Sequence, residues 1–110
     1  MNYDEYKLFF LFGDIGAGKT TFVANFLKNY EVSSPTFSIC NQYDTNIFHF
    51  DLYNINGDFN SLNNLNFFEI CYDSTVFVEW SEKIESNCWS FIKSPYIKLQ
   101  FKDFQITKGT

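Results

Sequence analysis

One stretch, GDIGAGKTTF from Gly13 to Phe22, limits the possible folds of this chain more than any other. It stands directly behind the apolar run LFFLF and fits the pattern GxxxxGK[ST] at Gly13, Gly18, Lys19 and Thr20. Each residue type has a physical reason. The glycines let backbone N–H groups converge on phosphate oxygens, and the positive end of the following helix favours anions. Lys19 reaches the terminal phosphates, and the Thr20 hydroxyl ligates Mg²⁺. Such a loop works only between a strand and a helix, and both are predicted. Tyr6 to Phe12 is a continuous apolar run of strand length, suited to a parallel strand buried on both faces. From Lys19 to Tyr30, Phe22, Val23, Phe26, Leu27 and Tyr30 fall on one helical face.

The remainder extends this start into an α/β, P-loop NTPase-like three-layer fold, with a parallel central sheet and antiparallel edge strands. Ser38 to Tyr43 and Ile47 to Leu52 read as strands around a polar turn at Asp44, Thr45 and Asn46. Gly57 to Asn66 is polar, Asn-rich and weakly periodic, a loop with one or two short helical turns. Thr75 to Glu79 is the next buried strand. Ser81 to Asn87 reads as a short helix with Ser81 as its N-cap. In the tail, Ile97, Leu99 and Phe101 alternate with Lys98 and Gln100, which predicts an antiparallel hairpin turning near Lys102 and Asp103. A length of 110 residues, with 15 Phe, 7 Tyr and 2 Trp to bury, fits one domain over residues 1–110.

Charge narrows the function classes. All 8 basic residues are lysines against 13 acids, a net charge of -5, so an extensive nucleic-acid face is not expected. Cys40, Cys71 and Cys88 are widely spaced and form no CxxC pair, which predicts free buried thiols in a reducing compartment. No apolar run approaches the length of a membrane span, and the start MNYDEYK lacks the positive charge of a signal peptide. A cytoplasmic protein is the expectation.

The candidate site residues follow from position. Asp51 ends the apolar segment IFHF and should emerge at the carboxyl edge of a strand, where open α/β sheets bind ligands. Alone it would read as a turn former; beside the glycine loop it reads as a carboxylate holding Mg²⁺ through water. Glu79 follows TVFV at a second strand end and could orient the attacking water or join the metal shell. Trp80 could stack on an adenine ring or belong to the core. Thr36, after Pro35, could touch the γ-phosphate or Mg²⁺ as a nucleotide-sensing residue does, or serve as a turn residue. His49, between Phe48 and Phe50, reads as a packed strand position.

GDIGAGKTTF, SPTF at Ser34 to Phe37, HFDLY at His49 to Tyr53 and VEW at Val78 to Trp80, in this order, resemble the TsaE (YjeE) family, the small P-loop ATPases of bacterial tRNA threonylcarbamoyladenosine biosynthesis. The resemblance runs from about Leu11 to the C-terminus. It implies one ATP or ADP site with Mg²⁺, low intrinsic hydrolysis, and work with the TsaD and TsaB proteins, whose repeated turnover it supports without making the adenylate itself. Carried over by motif, the nucleotide-binding residues are Gly13, Asp14, Ile15, Gly16, Ala17, Gly18, Lys19, Thr20 and Thr21, with Trp80 near the base. The metal residues are Thr20, Asp51 and Glu79, and the hydrolytic residues are Glu79 and the switch residue Thr36. Asn54 stands where the family pattern HxDxYR has arginine, and Ser81 where a Pro is common. Family members usually carry a strand and helix before the P-loop strand, so a shortened N-terminus is expected.

Two other functions share these features. A small-molecule kinase would need an acceptor pocket and a lid, commonly with arginines, for which the chain has neither room nor residues. A nucleotide-dependent, non-catalytic interaction module needs only the loop.

Overall fold

The computed structural model describes residues 5–14, 17–33, 35 and 39–101, and the backbone of 105–109. LFFLF forms β1 (Leu8–Phe12), and the glycine loop leads into α1 (Lys19–Phe26). Then come β2 (Cys40–Asp44), β3 (Ile47–Asp51), α2 (Phe59–Asn64), α3 (Phe67–Asp73) and β4 (Thr75–Glu79). Two 3-10 segments, Ser81–Lys83 and Ser86–Phe91, lead to β5 (Tyr96–Gln100) and β6 (Gln105–Gly109).

The strands form one six-stranded sheet in the order β2-β3-β4-β1-β5-β6. The β3-β4, β4-β1 and β1-β5 pairs are parallel, and the edge pairs β2-β3 and β5-β6 are antiparallel. This is the expected α/β architecture. Its layers follow from strand alternation. Phe9, Leu11, Phe77, Ile97 and Leu99 pack with Val23 and Leu27 of the α1 layer. Leu8, Phe10, Phe50, Val76 and Val78 pack on the other face with Leu62, Phe67 and Cys71 of α2 and α3. Because β1 and β4 are apolar on both faces, they occupy the buried centre.

The same alternation positions the polar strand ends. Leu11, Glu79 and Asp51 share one register row across β1, β4 and β3. Leu11 faces α1, so the two carboxylates rise at the carboxyl edge of the sheet on the side where α1 begins.

Several expectations are corrected. The first helix ends at Phe26 rather than Tyr30, because Leu27 leaves helical geometry to bury its side chain against the α1-side core. Tyr30 instead donates its hydroxyl to Asp44 at 2.8 Å. Ser38 lies outside the described residues, and the strand begins at Cys40. The short helical turns expected within Gly57 to Asn66 are α2, which Asp58 caps by accepting the Ser61 N–H at 2.8 Å, but α3, which was not expected, follows. The helix over Ser81 to Asn87 is replaced by the two 3-10 segments. Ser81 does not cap; its hydroxyl donates back to the Val78 carbonyl at 2.8 Å. The turn of the terminal hairpin, at 102–104, lies outside the described residues.

Candidate functional site

The loop leaves β1 through Gly13 at φ 140° and enters α1 through Gly18 at φ 100°, two left-handed positions that favour glycine. A 3.1 Å bond from the Ala17 N–H to the Asp14 carbonyl tightens the turn between them. Ile15 and Gly16 lie outside the described residues, as does Thr36. Thr21 is exposed in the first turn of α1.

Lys19 is only 4% exposed. Its ammonium donates to the Gly13 carbonyl and lies 3.7 Å from the centre of the Trp80 ring, a cation–π contact. Burial lowers its pKa, and the carboxylates of Glu82, Glu79, Asp51 and Asp14 oppose that shift. Lys19 is therefore a desolvated cation set among four acids. Trp80 holds this place from a left-handed backbone at φ 59°, and its ring also packs on Tyr53 at 4.8 Å.

Next to Lys19, the Thr20 hydroxyl donates to Glu79 Oε2 at 2.8 Å. Glu79 is 3% exposed, and His49 Nε2 lies 2.6 Å from the same oxygen. Asp51, half-buried on the adjoining strand, accepts the Tyr53 N–H at 2.9 Å through Oδ1. The structure thus brings Gly13, Lys19, Thr20, Glu79 and Trp80 into one contact network, with Asp51 in register beside it. The Trp80 ring lies on the lysine itself.

A hydroxyl and two carboxylates are hard oxygen donors of the kind Mg²⁺ takes. Among the described residues no group of three or more His, Cys, Asp or Glu could hold a metal ion by itself. The residues fit the usual Mg²⁺ arrangement, in which one or two carboxylates are completed by phosphate oxygens and water.

Sequence reasoning missed two contributors. Glu82 accepts the Gly13 N–H at 3.1 Å through Oε2, tying the turn after β4 to the start of the loop. His49 is more than the packed strand position its apolar neighbours predict. It is fully buried, yet its ring also joins Glu79 to the Tyr43 hydroxyl, 2.8 Å from Nδ1. Period-2 alternation held a signal for it, since His49 shares a strand face with Asp51, and Phe77 shares one with Glu79. The cysteines are free, as expected, but only Cys71 and Cys88 are buried; Cys40 lies half-buried on the edge strand β2, and partial burial still pushes its thiol up to about 11. Among the described residues no helix is long and apolar enough to cross a membrane.

Comparison with known proteins adds an independent finding. A family model described as threonylcarbamoyl adenosine biosynthesis protein TsaE matches residues 1–108. The chain is 33% identical over 98 residues to the tRNA threonylcarbamoyladenosine biosynthesis protein TsaE of Rickettsia typhi, covering 82% of this chain and 65% of that protein. The proteins of the same name from Aquifex aeolicus and Haemophilus influenzae are 37% identical over 80 residues and 35% over 83. These matches cover 64% and 67% of this chain, and 55% and 51% of those proteins. The chain therefore spans about half to two thirds of the length of these curated relatives. A solved structure, described as Bacillus subtilus YdiB, superposes with a TM-score of 0.48 at 24% identity, covering 86% of this chain and 59% of that one.

Proposed function

Since this chain belongs to the family of threonylcarbamoyl adenosine biosynthesis protein TsaE, we propose that it is a Mg²⁺-dependent ATPase of low intrinsic activity. Its work would be to support turnover of a TsaD–TsaB complex in tRNA threonylcarbamoyladenosine modification. The observation that carries this reading is the 2.8 Å Thr20–Glu79 contact beside the buried Lys19, at the carboxyl edge of adjacent parallel strands.

Each residue has a role in the proposed reaction. Gly13 to Thr21 cradle the phosphates, with backbone N–H groups and the start of α1 directed at the negative charge. Lys19 exchanges its bond to the Gly13 carbonyl for the terminal phosphates, which gives its desolvated charge a stronger partner. The Thr20 hydroxyl can keep its proton on Glu79 while its oxygen ligates the metal. Mg²⁺, when bound, neutralises phosphate charge. Asp51 and Glu79 would hold the ion through water, and Glu79 would accept a hydrogen bond from the attacking water and so orient it. Thr36 serves as the switch residue on the γ-phosphate. Trp80 leaves the lysine as the nucleotide enters and lies near it afterwards. ADP is held by the same loop.

The test is calorimetric titration of the chain with ATP and Mg²⁺, followed by phosphate release with and without TsaD and TsaB. Saturable binding and partner-stimulated release are expected. A chain that binds neither ATP nor ADP would overturn the reading.

A further inference from the structure

A glutamate that orients water needs its carboxylate held in one rotamer, and the structure supplies a holder outside the glycine loop. His49 is fully buried in β3, where it pairs in register with Phe77, two residues before Glu79. Both therefore lie on the α1 side of the sheet. Nε2 is 2.6 Å from Glu79 Oε2, and Nδ1 is 2.8 Å from the Tyr43 hydroxyl. An ionised carboxylate only accepts, so Nε2 carries a proton toward Glu79. The Tyr43 hydroxyl, which also donates to the Ser33 carbonyl at 3.2 Å, contacts Nδ1 and so holds the ring's orientation. Thr20 reaches the same oxygen from α1 at 2.8 Å, so two donors from different layers converge on Oε2. Oε2 is thereby held from two sides by the protein's own side chains.

We propose that His49, backed by Tyr43, is a positioning residue that pins Oε2 of Glu79 so that Oε1 is presented to the attacking water. This rests on the hydrolytic reading of the site and adds to it a residue that touches neither nucleotide nor metal. A positioning role makes a different demand on substitutions than a packing role does. In His49→Gln, an amide N–H can occupy the place of Nε2 and still donate to Glu79. In His49→Asn, the shorter amide reaches the place of Nδ1 and leaves Oε2 without that donor. Both remove the ring, so both weaken packing.

The experiment measures single-turnover ATP hydrolysis with protein in excess, ATP affinity by calorimetry, and the melting temperature of each variant. His49→Asn is expected to lower the hydrolysis rate about 10- to 100-fold, the usual loss when the support of a site ligand is removed, with the ATP dissociation constant within about twofold of wild type. His49→Gln is expected to recover most of the rate at a similar melting temperature, and Tyr43→Phe to give a smaller loss than His49→Asn. Equal hydrolysis by wild type and His49→Asn would overturn this proposal while the ATPase reading stands. Equal losses in the Asn and Gln variants, following their melting temperatures, would make His49 a packing residue and overturn it as well. A wild type that binds ATP but never hydrolyses it would overturn the hydrolytic reading and this proposal together.

Discussion

Thr20→Val tests the contact on which the site is built. Valine keeps the branched shape of threonine but cannot donate to Glu79, so Oε2 loses a 2.8 Å bond in a nearly buried carboxylate. A hydrogen bond to a charged group contributes roughly 1.5–3 kcal/mol. Thr20 itself is only half-buried and water can partly replace it, so the lower end applies, about 1.5 kcal/mol. In urea unfolding this corresponds to a midpoint about 1 M lower with an unchanged slope. A double-mutant cycle with Glu79→Met isolates the pair, because methionine follows the path of glutamate with only a weakly accepting sulfur and the loss at His49 occurs on both arms. The coupling should be about 1–1.5 kcal/mol. Single effects that add to within about 0.5 kcal/mol would show that Thr20 and Glu79 do not interact in the folded protein, and the reasoning about the site would fail with them.

Lys19→Ala should weaken ATP binding roughly 10- to 150-fold, the equivalent of about 1.5–3 kcal/mol for a charge-assisted contact, and unchanged affinity by calorimetry would remove the phosphate assignment. An arginine finger accelerates P-loop hydrolysis by roughly 10³ to 10⁵, and this chain contains no arginine. The isolated protein should therefore hydrolyse ATP very slowly and gain rate from TsaD–TsaB; rapid phosphate release by the chain alone would refute that dependence. Gly57→Ala should destabilise the fold by at least about 2 kcal/mol, since the new Cβ would lie 1.7 Å from the Lys83 carbonyl oxygen in a bridge between two backbones. A melting temperature within a few degrees of wild type would show that these segments separate easily.

The parts of the fold legible in the sequence are those whose signal is local. LFFLF and TVFV are apolar at every position, which only a strand buried on both faces accommodates at that length, and the glycine loop required a strand before it and a helix after. α3 was illegible because it is two turns long and follows an Asn-rich stretch, and because Asn66 at φ 58° separates it from α2 with no glycine or proline to mark the break. The 3-10 geometry after Trp80 depends on Ser81 bonding back to Val78, a choice that competes with capping and carries no composition signal. Lys19, Thr20, Asp51 and Glu79 could be named because each ends or begins an element at the sheet's carboxyl edge. His49 and Glu82 could not, since their partners are 30 and 69 residues away in sequence. Pairing His49 with Glu79 requires knowing that β3 lies beside β4.

The row formed by Leu11, Glu79 and Asp51 has a consequence for how the chain finds its alignment. In a sheet with one wet face, a one-residue slip is punished because it turns apolar side chains to water. β1 and β4 are apolar on both faces, so their side chains would be nearly as content one step out of phase. What differs between the phases is the end of each strand. Drawing Glu79 one step into the sheet would strand a carboxylate in the core away from Thr20 and His49, a far larger penalty than any exchange of phenylalanine for valine. The acids at the strand tips thus act as stops that tell the hydrophobic strands where to halt. Replacing both with apolar residues would take the two carboxylates from the sheet edge and would also leave the sheet free to assemble in more than one phase.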